Sequence, residues 1–354
     1  MIDSSHFHFK EAEALPSIPD LPDPLLAPDG KRVETAEQWM ALRDKYKAMS
    51  AFYMFGNVPP APTHVDVQTV STETSRDGSR TYMLLDIVVR DIGGSGQDFS
   101  FRARRILPSH PVGGRVIVKN SGNPLEPCPI EDRLVSEGIE LITFDRTGLA
   151  PDGPAIDTGI FPYFPDLGMK VLGAWAWGHM AVNTWLHSRN PAAAPPRICI
   201  MGHSRGGKAT TCAGILDERI DVVTSSGSGC GGAGCYRFAA DMNPKVETVG
   251  NITRAFPYWF ADRLATFAER EDRLPFDLHT LKALVAPRAL ITTEGNQDYW
   301  SNPVGTGVTS RAAQPVFDLL GVSERNAVFY RDGGHAQNEK DWTAIVDFFI
   351  RVTQ

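Results

Sequence analysis

The stretch that most constrains this chain runs from Ile198 to Lys208 and reads ICIMGHSRGGK. Its apolar start, residues 198–201, predicts a buried strand, and the residues from Lys208 onward are compatible with a helix. Between them lies a G-x-S-x-G motif centred on Ser204. A strand, a sharp turn and a helix form a nucleophile elbow, in which the turn exposes a serine hydroxyl above the sheet edge. We therefore predict that Ser204 is a nucleophile; the alternative is a chance match in a chain with 32 glycines.

Composition and charge exclude several classes of protein. Of the 354 residues, 42% are hydrophobic and 22% are charged, which is ordinary for a folded globular protein. The formal net charge of −7 leaves no basic excess to neutralise phosphates, so we expect no nucleic-acid partner. No apolar run approaches the roughly 20 residues that span a bilayer, so we expect no membrane segment. We further expect a monomer.

The N-terminus and the cysteines bear on compartment and cofactors. Residues 1–6 lack the basic and apolar regions of a secretory signal, so we expect either a cytoplasmic protein or one whose signal has been removed. The five cysteines are odd in number and include no C-x-x-C pair. We therefore expect no metal and no cofactor. Cys199 and Cys212 are predicted core thiols, and a disulfide among the other three stays open.

The order of predicted elements indicates the fold class. Residues 1–60 are predicted to form a proline-rich arm and a helix capped by Thr35, both packed on a catalytic domain at 61–354, with a single domain in all. Strands are predicted at His64–Thr72, Thr81–Arg90, Asp98–Arg104, Arg115–Lys119, Glu140–Phe144, Arg197–Met201, Ile220–Ser225, Arg288–Thr293 and Ala327–Tyr330. Further helices are predicted at 164–189, best defined from Lys170 to His187, and at 208–216, 260–269 and 311–320. Antiparallel strands followed by alternating strands and helices indicate an α/β-hydrolase fold, a mostly parallel central sheet sandwiched by helices.

A serine nucleophile needs a base, and in this fold the chain order is serine, acid, histidine. His335 directly follows the last predicted strand, where the fold presents its base. His279 precedes a helix, and we expect it to make a structural hydrogen bond instead. The loop after Arg288–Thr293 holds the candidate acids. Asp298 lies deeper in that loop, the usual place of the acid that orients the imidazole, and Glu294 is the alternative.

Several segments, taken together, resemble the glucuronoyl esterases of carbohydrate esterase family 15, and two of them its bacterial branch. In chain order they are LPDP at 21–24, GAWAWG at 173–178, GHSRGGK at 202–208, SGCGGA at 228–233, FPYWF at 256–260, LPFDLH at 274–279, APRA at 286–289 and GGH at 333–335. The resemblance covers roughly residues 20–350. It implies a serine carboxylic-ester hydrolase acting on a uronic-acid-bearing carbohydrate, namely on esters between glucuronic acid of xylan, often 4-O-methylated, and lignin alcohols. It also suggests a secreted or periplasmic protein.

Residue roles follow in part from chemistry and in part from the resemblance. The Arg205 amide, next to the nucleophile, can donate to the oxyanion, and its guanidinium can add positive charge nearby. The resemblance implies that Lys208, Glu247 and Trp259 contact the sugar. The alternatives are ordinary helix charges for Arg205 and Lys208, a solvated loop residue for Glu247 and a core residue for Trp259.

The sequence departs from the family at two positions. Many members carry a catalytic Glu just before the S-G-[SC]-G-G segment, where this chain has Gly227. No carboxylate occurs between Asp221 and Asp241, so the acid must come from elsewhere, which strengthens the two candidates named above. The Cys that precedes the nucleophile in fungal members is His203 here, so their disulfide is absent at that point.

Two other functions stay open. One is a different carbohydrate or carboxylic-ester hydrolase, such as an acetyl esterase, on the same scaffold. The other is a weakly active relative that binds carbohydrate in the cleft where related enzymes hydrolyse it. An intact Ser204 and His335 argue against a pure binder, because binding requires neither of them.

Overall fold

A computed structural model describes residues 7–27, 30–189, 194–238 and 245–354. The predicted N-terminal arm is described only in part, since residues 1–6 and 28–29 lie outside these ranges. Its described part contains a short 3-10 turn at Ala12–Ala14, a turn at residues 24–25 and an isolated bridge between Leu26 and Arg32. Ala12 and Leu25 of this segment are buried in the same hydrophobic core as residues of the sheet.

The described residues contain one mixed sheet of nine strands. The strands are β1 Val65–Thr74, β2 Arg80–Val89, β3 Phe99–Pro108, β4 Arg115–Ser121, β5 Glu140–Asp145, β6 Arg197–His203, β7 Val222–Ser226, β8 Ala289–Gly295 and β9 Asn326–Arg331. Their order in the sheet is β1-β2-β3-β5-β4-β6-β7-β8-β9. β1 to β3 pair antiparallel, β3 pairs antiparallel with β5, and every later pairing is parallel. All the predicted strands are confirmed, with boundaries shifted by a few residues.

Helices cover both faces of this sheet. They are α1 Ala36–Ser50, α2 Glu131–Ser136, α3 Val171–Ser188, α4 Arg205–Leu216, α5 Val249–Ala255, α6 Asp262–Ala265, α7 Leu278–Val285, α8 Pro303–Leu319 and α9 Glu339–Val352. The predicted capping box of α1 is present, with Thr35 accepting from the Gln38 amide, and a π-helical turn at Ala51–Phe55 extends this helix.

Three helix predictions need correction. The helix predicted at 164–189 spans Val171–Ser188, close to its best-defined part at Lys170–His187, because Pro162 and Pro165 lie in separate 3-10 turns before it. The helix predicted at 260–269 is a short one at Asp262–Ala265, continued by turns. The helix predicted at 311–320 begins much earlier, after the Asn302 cap. Its first half is rich in Gly and Thr, which have low helix propensity, so tertiary packing decides its conformation.

Alternation along the central strands divides the core into two layers. In β6, Ile198 and Ile200 face a large cluster that includes residues of α3, α4, α7 and α8. Cys199 and Met201 face a smaller cluster that includes residues of α2 and α9. Successive strand residues point to opposite faces, so an apolar run such as 198–201 is buried on both sides. This is the predicted mostly parallel sheet sandwiched by helices.

The parallel half of the sheet determines where polar residues gather. The carboxyl ends of parallel strands meet at one edge, where α/β proteins place their ligands. Ser204 follows β6, Gly227 follows β7, Asp298 follows β8 and His335 follows β9. The topology therefore brings the predicted catalytic residues to one edge of the sheet.

Candidate active site

The turn at Ser204 has the strained backbone of a nucleophile elbow. Ser204 has φ 55° and ψ −122°, a conformation that non-glycine residues rarely adopt. A Cβ on Gly202 would lie 2.3 Å from the Gly206 carbonyl oxygen, so only glycine lets β6 and α4 approach this closely. The Ser204 amide donates to the Ser226 carbonyl at 2.9 Å, which ties the turn to β7. These contacts hold the serine at the tip of the turn, lining an open cleft of about 600 Å³.

His335 lines the same cleft and is oriented by Asp298. Its Nδ1 donates to Asp298 Oδ2 at 2.6 Å, which leaves Nε2 as the proton-accepting atom. The Asp298 side chain is 4% exposed and that of His335 is 42% exposed. Burial alone would raise the pKa of Asp298, but hydrogen bonds from His335 and Ser301 outweigh burial and lower it. Asp298 is therefore an ionised acceptor beneath a histidine that faces the cleft.

Glu294, the alternative acid, lies behind Asp298 and does not contact His335. It is fully buried, and its Oε1 accepts from Thr306 Oγ1 at 2.9 Å. Ser301 Oγ lies 2.5 Å from Asp298 Oδ2 and 3.3 Å from Glu294 Oε2. The Ser301 hydroxyl can donate only one hydrogen bond, and it donates this one to the ionised Asp298. In its contact with Glu294 the hydroxyl must therefore accept, and the donor is a protonated Glu294 carboxyl. Burial raises the pKa of Glu294 to about 8, which agrees with a protonated carboxyl at neutral pH.

A side chain would be strained and crowded at the position where many members of the family carry a Glu. Gly227 has φ 49°, and a Cβ there would lie 3.2 Å from His203 Nε2 and 3.5 Å from Asp298 Oδ2. The His203 ring packs on the His335 ring, with 4.7 Å between their centroids. Burial, and next the neighbouring His335, lower the pKa of His203 to about 4, so its ring is neutral at pH 7. His203 thus occupies the space next to His335 without adding a charge.

Arg205 is fixed by an acid and two aromatic rings. Its Nη1 donates to Asp152 Oδ2. Its guanidinium carbon lies 4.9 Å from the ring centroid of Trp259 and 5.4 Å from that of Phe256. Trp259 is 2% exposed and donates from Nε1 to Asp152 Oδ1 at 2.8 Å. Of the two interpretations of Trp259, the structure therefore favours a core residue, one that supports Arg205.

Lys208 and Glu247 form a buried ion pair, next to a tryptophan that was not predicted from the sequence. Lys208 Nζ is buried and donates to the carbonyls of Ser228 at 2.7 Å and Cys230 at 2.5 Å and to Glu247 Oε2 at 3.3 Å. An ammonium group has three protons, so these three acceptors use them all. Glu247 Oε1 accepts from Trp300 Nε1 at 3.1 Å, and Trp300 is 50% exposed. The only sequence signal for Trp300 was its place in the loop that contains Asp298.

Other predicted features are located as follows. His279 is buried, and its Nε2 donates to the Pro22 carbonyl at 2.6 Å. This is a structural hydrogen bond and not the contact of a catalytic base. All five cysteines lie in described parts of the chain and are free thiols. Among the described residues, no group of three or more His, Cys, Asp or Glu side chains is placed to hold a metal ion. Within the same residues, no helix combines the length and apolar character needed to cross a bilayer.

Along most of its length the chain is similar to one group of esterases. A family model described as "Glucuronyl esterase, fungi" matches residues 91–321. The 4-O-methyl-glucuronoyl methylesterase of Phanerochaete carnosa is 28% identical, over 90% of this chain and 76% of its own. A carbohydrate esterase of an unknown prokaryotic organism is 26% identical, over 97% of this chain and 91% of its own.

A solved structure agrees with both the fold and the family. The glucuronoyl esterase of carbohydrate esterase family 15 from Caldicellulosiruptor kristjansonii superposes with a TM-score of 0.76 and 28% identity, over 96% of this chain and 92% of its own. The family model alone matches more than half of the 354 residues of this protein. The protein therefore belongs to the glucuronoyl esterase family, carbohydrate esterase family 15, and has the α/β-hydrolase fold.

Proposed function

We propose that this protein is a serine esterase that hydrolyses esters of glucuronic acid, with Ser204 as nucleophile, His335 as base and Asp298 as acid. The observation that carries the assignment is the hydrogen bond of 2.6 Å from His335 Nδ1 to Asp298 Oδ2, at the cleft that Ser204 also lines. The substrate class is supported by relatives named 4-O-methyl-glucuronoyl methylesterase.

The proposed reaction has two steps. Nε2 of His335 takes the hydroxyl proton as Ser204 Oγ attacks the ester carbonyl, and Asp298 stabilises the imidazolium that forms. The tetrahedral intermediate then collapses, the alcohol leaves with the proton from His335, and an acyl-enzyme remains. A water molecule, deprotonated by His335, repeats the attack and releases the uronate and free Ser204. His335 and Ser204 are not hydrogen-bonded to each other in the described structure, and such contacts often tighten only when substrate binds.

Arg205 is suited to stabilise the oxyanion. It is the first residue of α4, so its amide belongs to the N–H groups that a helix leaves without an intrahelical acceptor. Its guanidinium is pinned by Asp152 and stacked near Trp259, which fixes a positive charge beside the nucleophile. A charge that is already in place costs little reorganisation when the oxyanion forms.

On the sugar side, we assign contact to Trp300 and Glu247 rather than to Trp259 and Lys208. Trp300 offers an exposed indole face in the loop that contains Asp298. Glu247 is held by Trp300 and by Lys208, and its carboxylate oxygens can accept from sugar hydroxyls. Lys208, whose three protons are used, acts by orienting Glu247.

The decisive experiment compares wild type with Ser204→Ala on benzyl glucuronate, methyl galacturonate and acetylated xylan. We expect wild type to prefer the glucuronate ester and the variant to lose on the order of 10⁴–10⁶ in kcat. Circular dichroism and Tm check that the variant is folded. Release of acetate in preference to benzyl alcohol would point to an acetyl esterase, and retained activity in the variant would rule out Ser204 as nucleophile.

A further inference from the structure

A second arginine lies in the cleft of the nucleophile. Arg146 begins a 3-10 turn directly after β5 and lines the same cleft as Ser204 and His335. Its guanidinium carbon lies 4.9 Å from the ring centroid of Trp175. A Cβ on Gly122 would come within 3.4 Å of Arg146 Nη2, so the glycine keeps this side of the guanidinium open.

Arg146 differs from Lys119 and Arg205 of the same cleft because, in the part of the chain that the structure describes, its guanidinium forms no ion pair. Lys119 pairs with Glu126, and Arg205 pairs with Asp152. Within the described residues, the Arg146 side chain forms no ion pair or hydrogen bond, and its buried Nε has no acceptor. Burial, and next the charge of Arg205, lower the pKa of Arg146, while the more weakly acting charges of Asp152, Glu126 and Asp145 raise it; the guanidinium stays protonated at neutral pH.

An unpaired and partly desolvated guanidinium is costly in a folded protein, and its cost falls when an anion binds. Its planar donors match a carboxylate, which can accept two parallel hydrogen bonds. The proposed reaction produces such a group in this cleft, because it converts a neutral ester into a carboxylate. The negative charge is therefore absent from the bound substrate and present in the product.

We propose that Arg146 is a carboxylate-binding residue of the cleft, which holds the uronate released by hydrolysis and makes the enzyme subject to inhibition by its product. This inference rests on the proposed function for the identity of the carboxylate. Arg146 thus raises the affinity for the charged product, whereas the sugar contacts of Trp300 and Glu247 provide the affinity for the neutral ester.

The first test measures binding without turnover. Calorimetry measures the binding of glucuronate and of glucose to the Ser204→Ala variant. The same measurements are then made on the double variant that also carries Arg146→Gln. The control is Arg76→Gln, which removes the same charge from an exposed arginine in the β1–β2 turn. We expect Arg146→Gln to weaken glucuronate binding about 10-fold, equivalent to about 1.4 kcal/mol, and glucose binding not at all. Equal glucuronate affinity in the Arg146 and Arg76 variants overturns the proposal.

The second test uses the active enzyme. We expect Arg146→Gln to raise the inhibition constant of glucuronate about 10-fold while the KM for benzyl glucuronate changes less than about 2-fold. An equal rise of both constants overturns the proposal, because Arg146 would then bind the sugar and not the carboxylate. Arg146→Lys keeps the charge but loses the planar donors, and it serves if the Gln variant does not fold. Its glucuronate binding should also be weaker than wild type, and unchanged binding contradicts the proposed bidentate contact.

These tests separate this inference from the proposed function. If benzyl glucuronate is not hydrolysed but glucuronate binding depends on Arg146, the proposed function fails and the carboxylate site stands. If hydrolysis is normal and Arg146→Gln binds glucuronate like the control, the carboxylate site fails and the proposed function stands.

Discussion

Replacing Asp298 by Asn should separate the acid of the proposed triad from its neighbour Glu294. Asp298 Oδ2 accepts from His335 Nδ1 at 2.6 Å and from Ser301 Oγ at 2.5 Å. An Asn has the same shape but only one acceptor oxygen, and its amide is a donor. If the amide turns towards His335, Nδ1 must accept and the ring proton moves to Nε2. That tautomer cannot take the proton of Ser204.

The size of the effect follows from the lost charge and the wrong tautomer. An imidazolium and a carboxylate about 4 Å apart attract by about 4 kcal/mol at an effective dielectric constant of 20. The His335 side chain is 42% exposed, so water replaces part of this stabilisation. We therefore expect Asp298→Asn to lower kcat by about 10²–10⁴, equivalent to about 3–5 kcal/mol in the activation free energy.

Glu294→Gln is the matched control, since it makes the same chemical change at the neighbouring carboxyl. The Gln amide can supply a proton to Ser301, and its carbonyl can accept from Thr306, so the local hydrogen bonds persist. We expect its kcat to stay within about 10-fold of wild type. Single-turnover release of benzyl alcohol measures the chemical step, and Tm checks folding. A near-normal Asp298→Asn beside an inactive Glu294→Gln would refute the reasoning and make Glu294 the acid.

Three further predictions concern other parts of the site. Arg205→Ala should lower kcat more than it raises KM in steady-state kinetics, because its proposed partner exists only in the transition state; a change confined to KM would make Arg205 a substrate-binding residue. Trp300→Ala should raise KM about 10-fold or more with a smaller effect on kcat, whereas no change in KM would exclude a sugar contact. Burial raises the pKa of Glu294 from 4.5 to about 8, so the folded state keeps a proton that the unfolded state releases. Wild type should therefore lose stability relative to Glu294→Gln as pH rises from about 4.5 to 8, and a difference in Tm that does not grow with pH would contradict this.

The sequence was informative where function depends on local order. The elbow at Ser204 is defined by adjacent residues, and the glycines around it are required by backbone contacts that any such turn makes. The positions of Asp298 and His335 follow from chain order, since the ends of parallel strands converge on one edge. The fold class was also predictable from chain order. Small errors in the strand boundaries do not change the number or the order of the nine predicted strands.

The sequence was misleading or silent where side-chain direction decides the role. Trp259 and Trp300 are equally apolar in the sequence, but one is 2% exposed and the other 50%. Only tertiary packing distinguishes them, and the same holds for Lys208, whose ammonium points towards backbone carbonyls. Nothing in the residues around Arg146 shows that its guanidinium forms no ion pair with the described residues, because that depends on segments distant in the chain.

The location of the proposed acid, Asp298, is linked to His203, which precedes the proposed nucleophile Ser204. A carboxylate after β7, as many members of the family have, would need a side chain at position 227. The backbone there has φ 49°, and a Cβ would press against His203 Nε2 at 3.2 Å. His203 therefore occupies the space that such a side chain needs, while its neutral ring packs on His335. A side chain at position 227 is thus disfavoured, and the carboxylate that accepts from His335 comes from the loop after β8, where Asp298 lies.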